Sequence, residues 1–119
     1  MSTLLASLSY KEAQALCASF RPSDVQVAGA KARVLRNEAD EKHGHAASHR
    51  RHAARLAREA RAIGERDGFK GDAWRQAFSR SLQAAQMCRH FETLFARADR
   101  KARDWERLAA RLEREEKGA

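Results

Sequence analysis

The chain has 119 residues, and its 24 Lys or Arg against 16 Asp or Glu give a net charge of +8 at pH 7. This length predicts a single domain over residues 1–119 with one modest core. Such a basic balance favours polyanionic partners, namely nucleic acid, anionic lipid or an acidic protein surface. A run of about twenty apolar residues is absent, which argues against a membrane-spanning helix. Because the first residues also lack the basic start of a secretory signal, we expect a cytoplasmic protein.

The first predicted element is a short helix. Ser9 and Glu12 have the spacing of a capping box, in which each side chain accepts a hydrogen bond from the other residue's backbone N–H. The helix should therefore begin just after Ser9. Pro22 disfavours a helical conformation in the residue before it, so the helix should end there. The sequence predicts a helix over about residues 10–21.

A heptad repeat follows over residues 25–63, where apolar or small residues recur at alternating steps of three and four. This pattern is typical of a helix that packs along another helix. Ser23 and Gln26 form a second capping-box pair at its start, which predicts a helix over residues 24–66. Gly44 is the weak position, because glycine inside a helix costs about 1 kcal/mol relative to alanine. The helix can pass through Gly44 or break there.

The glycine-containing segment over residues 67–72 predicts a turn, and a third helix is predicted over residues 73–116. This third helix carries the same heptad repeat. When the chain folds back at the turn, large residues of one repeat face small residues of the other, for example Phe91 and Ala46. The two repeats therefore predict an antiparallel helix pair.

The predicted fold class is all-α: a short N-terminal helix and a long antiparallel helical hairpin, similar to a coiled coil. The alternative is a bundle of four or five short helices, which would form if the long helices break. Several apolar residues of the third helix lie beside its repeat, so a two-helix pair leaves them uncovered. We expect the first helix to cover part of them through Leu16 and Phe20, and a partner or a second copy to cover the rest. The uncovered residues are Phe78, Leu82, Ala85, Leu94 and Leu108.

Basic residues concentrate in residues 42–66, which hold seven Lys or Arg against two acids. Guanidinium groups fit phosphate, so this stripe is typical of contact with a nucleic-acid backbone. The alternative is a solvated flank of the coiled coil, which we prefer for residues 97–117 because acids are interleaved there at i,i+4 spacing. Few aromatic residues are available to contact bases, so we expect the chain to bind DNA or RNA with little dependence on sequence. The candidate nucleic-acid-binding residues are Lys42, Arg50, Arg51, Arg55, Arg58 and Arg61.

A histidine cluster lies in the same stretch. His45, His49 and His52 share one helix face, and the hairpin places Cys88 opposite His49. Imidazole and thiolate ligands suit zinc, nickel or copper. The alternative is a solvated basic face, which the neighbouring arginines and the missing carboxylate favour, so we expect no bound metal and no cofactor. Catalysis is not expected either, because the sequence has no phosphate-binding glycine loop and no nucleophile with a base at a specific spacing.

These features together predict a non-enzymatic, basic helical subunit that packs within a larger complex and holds a nucleic-acid backbone. In size, helicity and charge the chain resembles the small helical subunits of CRISPR effector complexes, which line nucleic-acid channels without doing chemistry. The resemblance covers the profile of the whole chain and no motif, so it implies no residue roles. One alternative is a coiled-coil adaptor that binds an acidic protein surface, similar in profile to the helical-hairpin stalk proteins of export machines. The other is a histidine-rich metal sensor or carrier, and each is compatible with a homo-oligomer.

Overall fold

The computed structural model of the protein describes residues 3–17 and 22–118. Within these ranges the chain is helical throughout except for short connections, and it contains no strand. The predicted all-α class and the predicted helical hairpin are therefore confirmed. The elements are a 3-10 helix, Thr3–Ser7, and three α-helices: α1, Tyr10–Cys17; α2, Asp24–Asp67; and α3, Asp72–Gly118.

The N-terminus of α1 is capped by the predicted serine. The Glu12 N–H donates to Ser9 Oγ over 3.3 Å. The ammonium group of Lys31 in α2 lies 3.2 Å from the carboxylate of Glu12 in α1. Leu16 faces α2 as well, where it borders a depression together with Val34. The expectation that Leu16 covers part of the spare apolar face of α3 stays a prediction, while Phe20 and the predicted helix end at residue 21 lie outside the described residues.

Helix α2 is continuous through Gly44, so the break that would have produced a bundle of short helices does not occur. Its start has both halves of the predicted capping box. The Ser23 N–H donates to Gln26 Oε1 over 2.8 Å, and the Gln26 N–H donates to Ser23 Oγ over 3.2 Å. The reciprocal bonds satisfy two backbone donors that the helix itself cannot pair.

The turn between the long helices depends on Gly68, whose φ of +94° is rarely adopted by residues with a side chain. Its N–H donates to the Gly64 carbonyl oxygen over 2.8 Å and closes the end of α2. Helix α2 ends one residue later than predicted, at Asp67. Helix α3 begins at Asp72, one residue before the predicted start, and extends two residues past the predicted end to Gly118.

The chain divides into two compact units, each containing one segment of α2 and one of α3. We call Asp40–Ala96 the turn unit, and Met1–Ala39 with Arg97–Ala119 the terminal unit. The single-domain expectation stays a prediction. Both cores consist mainly of alanine, which lets helix backbones approach closely. The buried apolar residues are Val27, Ala28, Ala32, Leu35, Ala39 and Ala102 in the terminal unit, and Ala46, Ala60, Ala77, Ala84 and Cys88 in the turn unit.

Candidate nucleic-acid interface

Aromatic contacts in the turn unit fix how α2 is rotated against α3. The His49 ring stacks on Phe91 with 4.4 Å between centroids and an interplanar angle of 9°. The His45 ring lies 5.7 Å from the same phenylalanine. Phe91 thus packs on the side of α2 that carries His45 and His49, and Ala46, which lies between them in sequence, is buried. With His49 turned towards α3, the side chains on the far side of α2 point into solvent.

Three arginines occupy that far side, and we call them the arginine face: Arg51, Arg55 and Arg58. Their i, i+4, i+7 spacing places them in one row, and all three are exposed. Within the described part of the chain, Arg51 and Arg58 make no ion pair with a carboxylate. Arg55 donates to His52 Nδ1 over 2.9 Å, so its partner is an imidazole nitrogen and not a carboxylate. In the described residues none of the three arginines therefore forms an ion pair, although Glu59 follows Arg58 directly in the sequence.

The arginine face borders an open depression of about 580 Å³. All six lining side chains are basic or neutral, and none is a carboxylate. Such a concave surface has a positive potential and favours an anion over a cation. The lining residues are Ser48, His49, Arg51, His52, Arg55 and Arg58.

The other three candidate residues lie apart from this depression. Arg50 pairs with the Glu92 carboxylate at 3.0 Å, and Arg61 pairs with Glu65 at 3.0 Å. Lys42 is half-buried. Three of the six candidate residues therefore surround one depression. Of the other three, Arg50 and Arg61 form ion pairs with acids.

The metal candidates are not arranged as a ligand set. Among residues 3–17 and 22–118, no three His, Cys, Asp or Glu side chains are grouped closely enough to hold a metal ion. The Cys88 thiol donates to Glu92 Oε1 over 3.4 Å. Burial, aided by that carboxylate, raises the pKa of the Cys88 thiol and disfavours the thiolate that binds metals. Conversely, the hydrogen bond from Arg50 lowers the pKa of Glu92.

A second depression of about 480 Å³ adjoins the first, and it was not predicted from the sequence. The two depressions share His49 and His52. Its lining includes Leu56 of α2 and both Met87 and Arg80 of α3. One signal in the sequence could have identified Arg80, because no acid lies three or four residues from it on either side.

Three arginines near the C-terminus of α3 behave differently. Their guanidinium groups are paired with acids of the same helix, as the interleaved sequence predicts. This contrast shows that exposure and basic composition alone do not produce an unneutralised surface. The pairs are Arg103 with Asp99 at 2.9 Å, Arg107 with Asp104 at 3.9 Å and Arg111 with Glu115 at 3.8 Å.

No protein-family model, curated protein or solved structure matches this chain at a significant level. The resemblance to small CRISPR subunits therefore stays a prediction. In the described residues, no helix has both the length and the apolar character needed to cross a bilayer. What the chain binds must be argued from the geometry and charge of its own surface.

Proposed function

We propose that the protein is a non-enzymatic helical subunit that binds the sugar-phosphate backbone of a nucleic acid within a larger complex. The observation that supports this proposal is the arginine face, where Arg51, Arg55 and Arg58 surround one depression without a carboxylate among its lining residues. A guanidinium group is weakly hydrated and offers paired N–H donors that match two phosphate oxygens. Contacts of this kind carry little sequence information, so we expect binding to arbitrary sequences.

The spacing of the arginine face suits a backbone. Arg51 and Arg58 are separated by about 10 Å along the helix axis. At about 3.4 Å of rise per nucleotide of one strand, that span corresponds to about three nucleotides. The row can therefore contact successive phosphates of one strand, and His52 at the same depression can add a further donor.

The test compares two triple variants that lose the same charge. The first is Arg51→Gln, Arg55→Gln, Arg58→Gln, which removes the arginine face. The matched control is Arg103→Gln, Arg107→Gln, Arg111→Gln, which removes three exposed arginines that already have acidic partners. Binding of a fluorescent oligonucleotide of arbitrary sequence is measured by polarisation over a series of salt concentrations.

We expect the first variant to bind at least about tenfold more weakly than the wild type at low salt, and the control to lose much less. Each lost phosphate contact should also lower the slope of log affinity against log salt by about 0.7 to 0.9. Equal losses in both variants would show that only net charge matters. If the wild type fails to bind at low salt, the adaptor function with an acidic protein partner replaces this proposal.

A further inference from the structure

The turn unit leaves an apolar strip of α3 in water. Phe78 is 41% exposed and Leu82 is 47% exposed, and both lie on one side of the helix with Ala85. We call these three residues the apolar face of α3. The Trp74 ring stacks on Phe78 with 5.0 Å between centroids, and Phe69 meets Trp74 edge-on at 5.7 Å. The strip is therefore supported by an aromatic series and is not a single loose side chain.

An exposed strip of this kind is typical of an interaction surface, because large apolar side chains gain free energy when they leave water. Its spacing of four and three residues repeats the heptad pattern of helix pairs. The described residues leave the strip uncovered, as the exposed fractions of Phe78 and Leu82 show.

The charges at the ends of the strip indicate which occupant fits. Arg89 follows the apolar face, and its acidic neighbour Glu92 is already paired with Arg50 at 3.0 Å. Asp72 precedes the face with its side chain 94% exposed, and it forms a long ion pair with Arg75 at 4.0 Å. One end of the strip thus has a cation that shares its acidic neighbour, and the other end has a highly exposed carboxylate. A helix with this arrangement is complementary to an antiparallel copy of itself.

We infer that the apolar face of α3 is the contact surface of a two-fold symmetric dimer of this protein. In an antiparallel pair of α3 helices, Phe78 of one copy packs against Leu82 of the other, and the reverse contact forms by symmetry. The same register brings Arg89 of each copy to the first turn of the other copy's helix, where Asp72 lies. The dimer uses a different side of the turn unit from the arginine face, so it does not depend on the proposed function.

The first test measures the mass of the full chain by sedimentation equilibrium without nucleic acid. We expect a reversible dimer, and we expect Leu82→Glu to raise its dissociation constant at least about tenfold, because two carboxylates would be buried in the contact. Met87→Glu is the matched control. Met87 is also 47% exposed but lies on the other side of α3, at the second depression, so its change should leave the mass distribution unaltered.

The second test reverses the charges at the ends of the strip. Arg89→Asp alone and Asp72→Arg alone should each weaken the dimer, and the combined variant should restore it. Any loss of helix stability caused by Asp72→Arg persists in the combined variant, so recovery can only come from the contact between copies. Circular dichroism confirms that each variant remains helical.

A wild type that stays monomeric at all concentrations would overturn the inference, as would equal effects of Leu82→Glu and Met87→Glu. Failure of the combined charge reversal to restore the dimer would overturn it too. The two proposals fail separately, because sedimentation measures the dimer without nucleic acid and the arginine face lies outside the contact. A monomeric wild type that still binds the oligonucleotide would overturn only the dimer, and a dimer that does not bind it would overturn only the proposed function.

Discussion

Arg36 is the residue that connects the two long helices most specifically within the terminal unit. Its guanidinium group donates to Asp99 Oδ1 over 2.8 Å, and to both carboxylate oxygens of Glu106 over 2.8 and 3.1 Å. Asp99 is only 18% exposed and also pairs with Arg103 at 2.9 Å. The hydrogen bonds from Arg36 lower the pKa of both Asp99 and Glu106. A bidentate guanidinium pair of this kind also restricts the rotation of α2 against α3.

The lowered pKa values predict how stability depends on pH. The ordinary values are 3.8 for Asp99 and 4.5 for Glu106, and both are lower in the folded chain. The stabilisation is therefore fully present above the ordinary values and is lost as the pH falls through the lowered ones. We expect Arg36→Gln to reduce the melting temperature by several degrees near neutral pH and by much less below about pH 3.

Thermal unfolding followed by circular dichroism over this pH range measures the difference. Arg111→Gln serves as the control, because Arg111 pairs only with Glu115 of its own helix at 3.8 Å. An Arg36→Gln effect that stays constant from neutral to acid pH would contradict the assigned ion pairs. If both substitutions lowered the melting temperature equally, the ion pairs of Arg36 between the helices would stabilise the protein no more than a surface ion pair does.

At the scale of the element, two glycines of α2 test different parts of the fold. A Cβ atom added at Gly44 would meet nothing within 4 Å, whereas one added at Gly64 would overlap the Phe69 ring. Because alanine favours helix over glycine, we expect Gly44→Ala to stabilise the protein by about 0.5–1 kcal/mol. Gly64→Ala should stabilise the protein less than Gly44→Ala, or destabilise it, because the Phe69 ring must move away from the turn. Urea unfolding of both variants measures these free energies.

The indole of Trp74 provides a second readout for the same pair. Phe69 contacts Trp74 edge-on, so displacement of the Phe69 ring should alter tryptophan fluorescence in Gly64→Ala but not in Gly44→Ala. If Gly44→Ala destabilised the protein, the continuous course of α2 through that position would be wrong. If Gly64→Ala stabilised it as much as Gly44→Ala, the close approach of Phe69 would be wrong.

The sequence was informative about elements because their signals are local. The pair of Ser23 and Gln26 marked the start of α2, and both hydrogen bonds form. The sequence could not show whether α2 breaks at Gly44. Glycine there costs about 1 kcal/mol, and packing along the whole helix determines whether the helix tolerates that cost. The second depression could not be predicted, because the placement of Arg80 and Met87 around it depends on side-chain packing between two helices. The spacing of the arginine face could be predicted from the sequence. That no acid lines its depression could not be predicted.

At the scale of the whole molecule, net charge does not identify the binding surface. Residues 40–96 hold eleven Lys or Arg and seven Asp or Glu, so the turn unit carries half of the net charge of +8. The terminal unit carries the other half. The arginine face differs from the row of Arg103, Arg107 and Arg111 in how its charges are paired. No carboxylate lines the depression at the arginine face, whereas each arginine of the other row has an acidic partner on its own helix. At short range a polyanion interacts with individual cations. Whether those cations are already paired with carboxylates therefore matters more than the total charge.

Histidines extend this argument to the contacts at the arginine face. His49 and His52 line both depressions, with Arg55 donating to His52 Nδ1 over 2.9 Å. This hydrogen bond orients the Arg55 guanidinium before a phosphate binds, which lowers the entropy cost of binding. We therefore expect the double variant His49→Ala, His52→Ala to bind the oligonucleotide severalfold more weakly at fixed salt and pH.

Polarisation with the same fluorescent oligonucleotide measures this loss of affinity. His90→Ala is the control, because His90 packs edge-on against Phe91 at 5.5 Å and lines neither depression. An unchanged affinity in the double variant, or an equal loss in His90→Ala, would place the ligand elsewhere than at the arginine face.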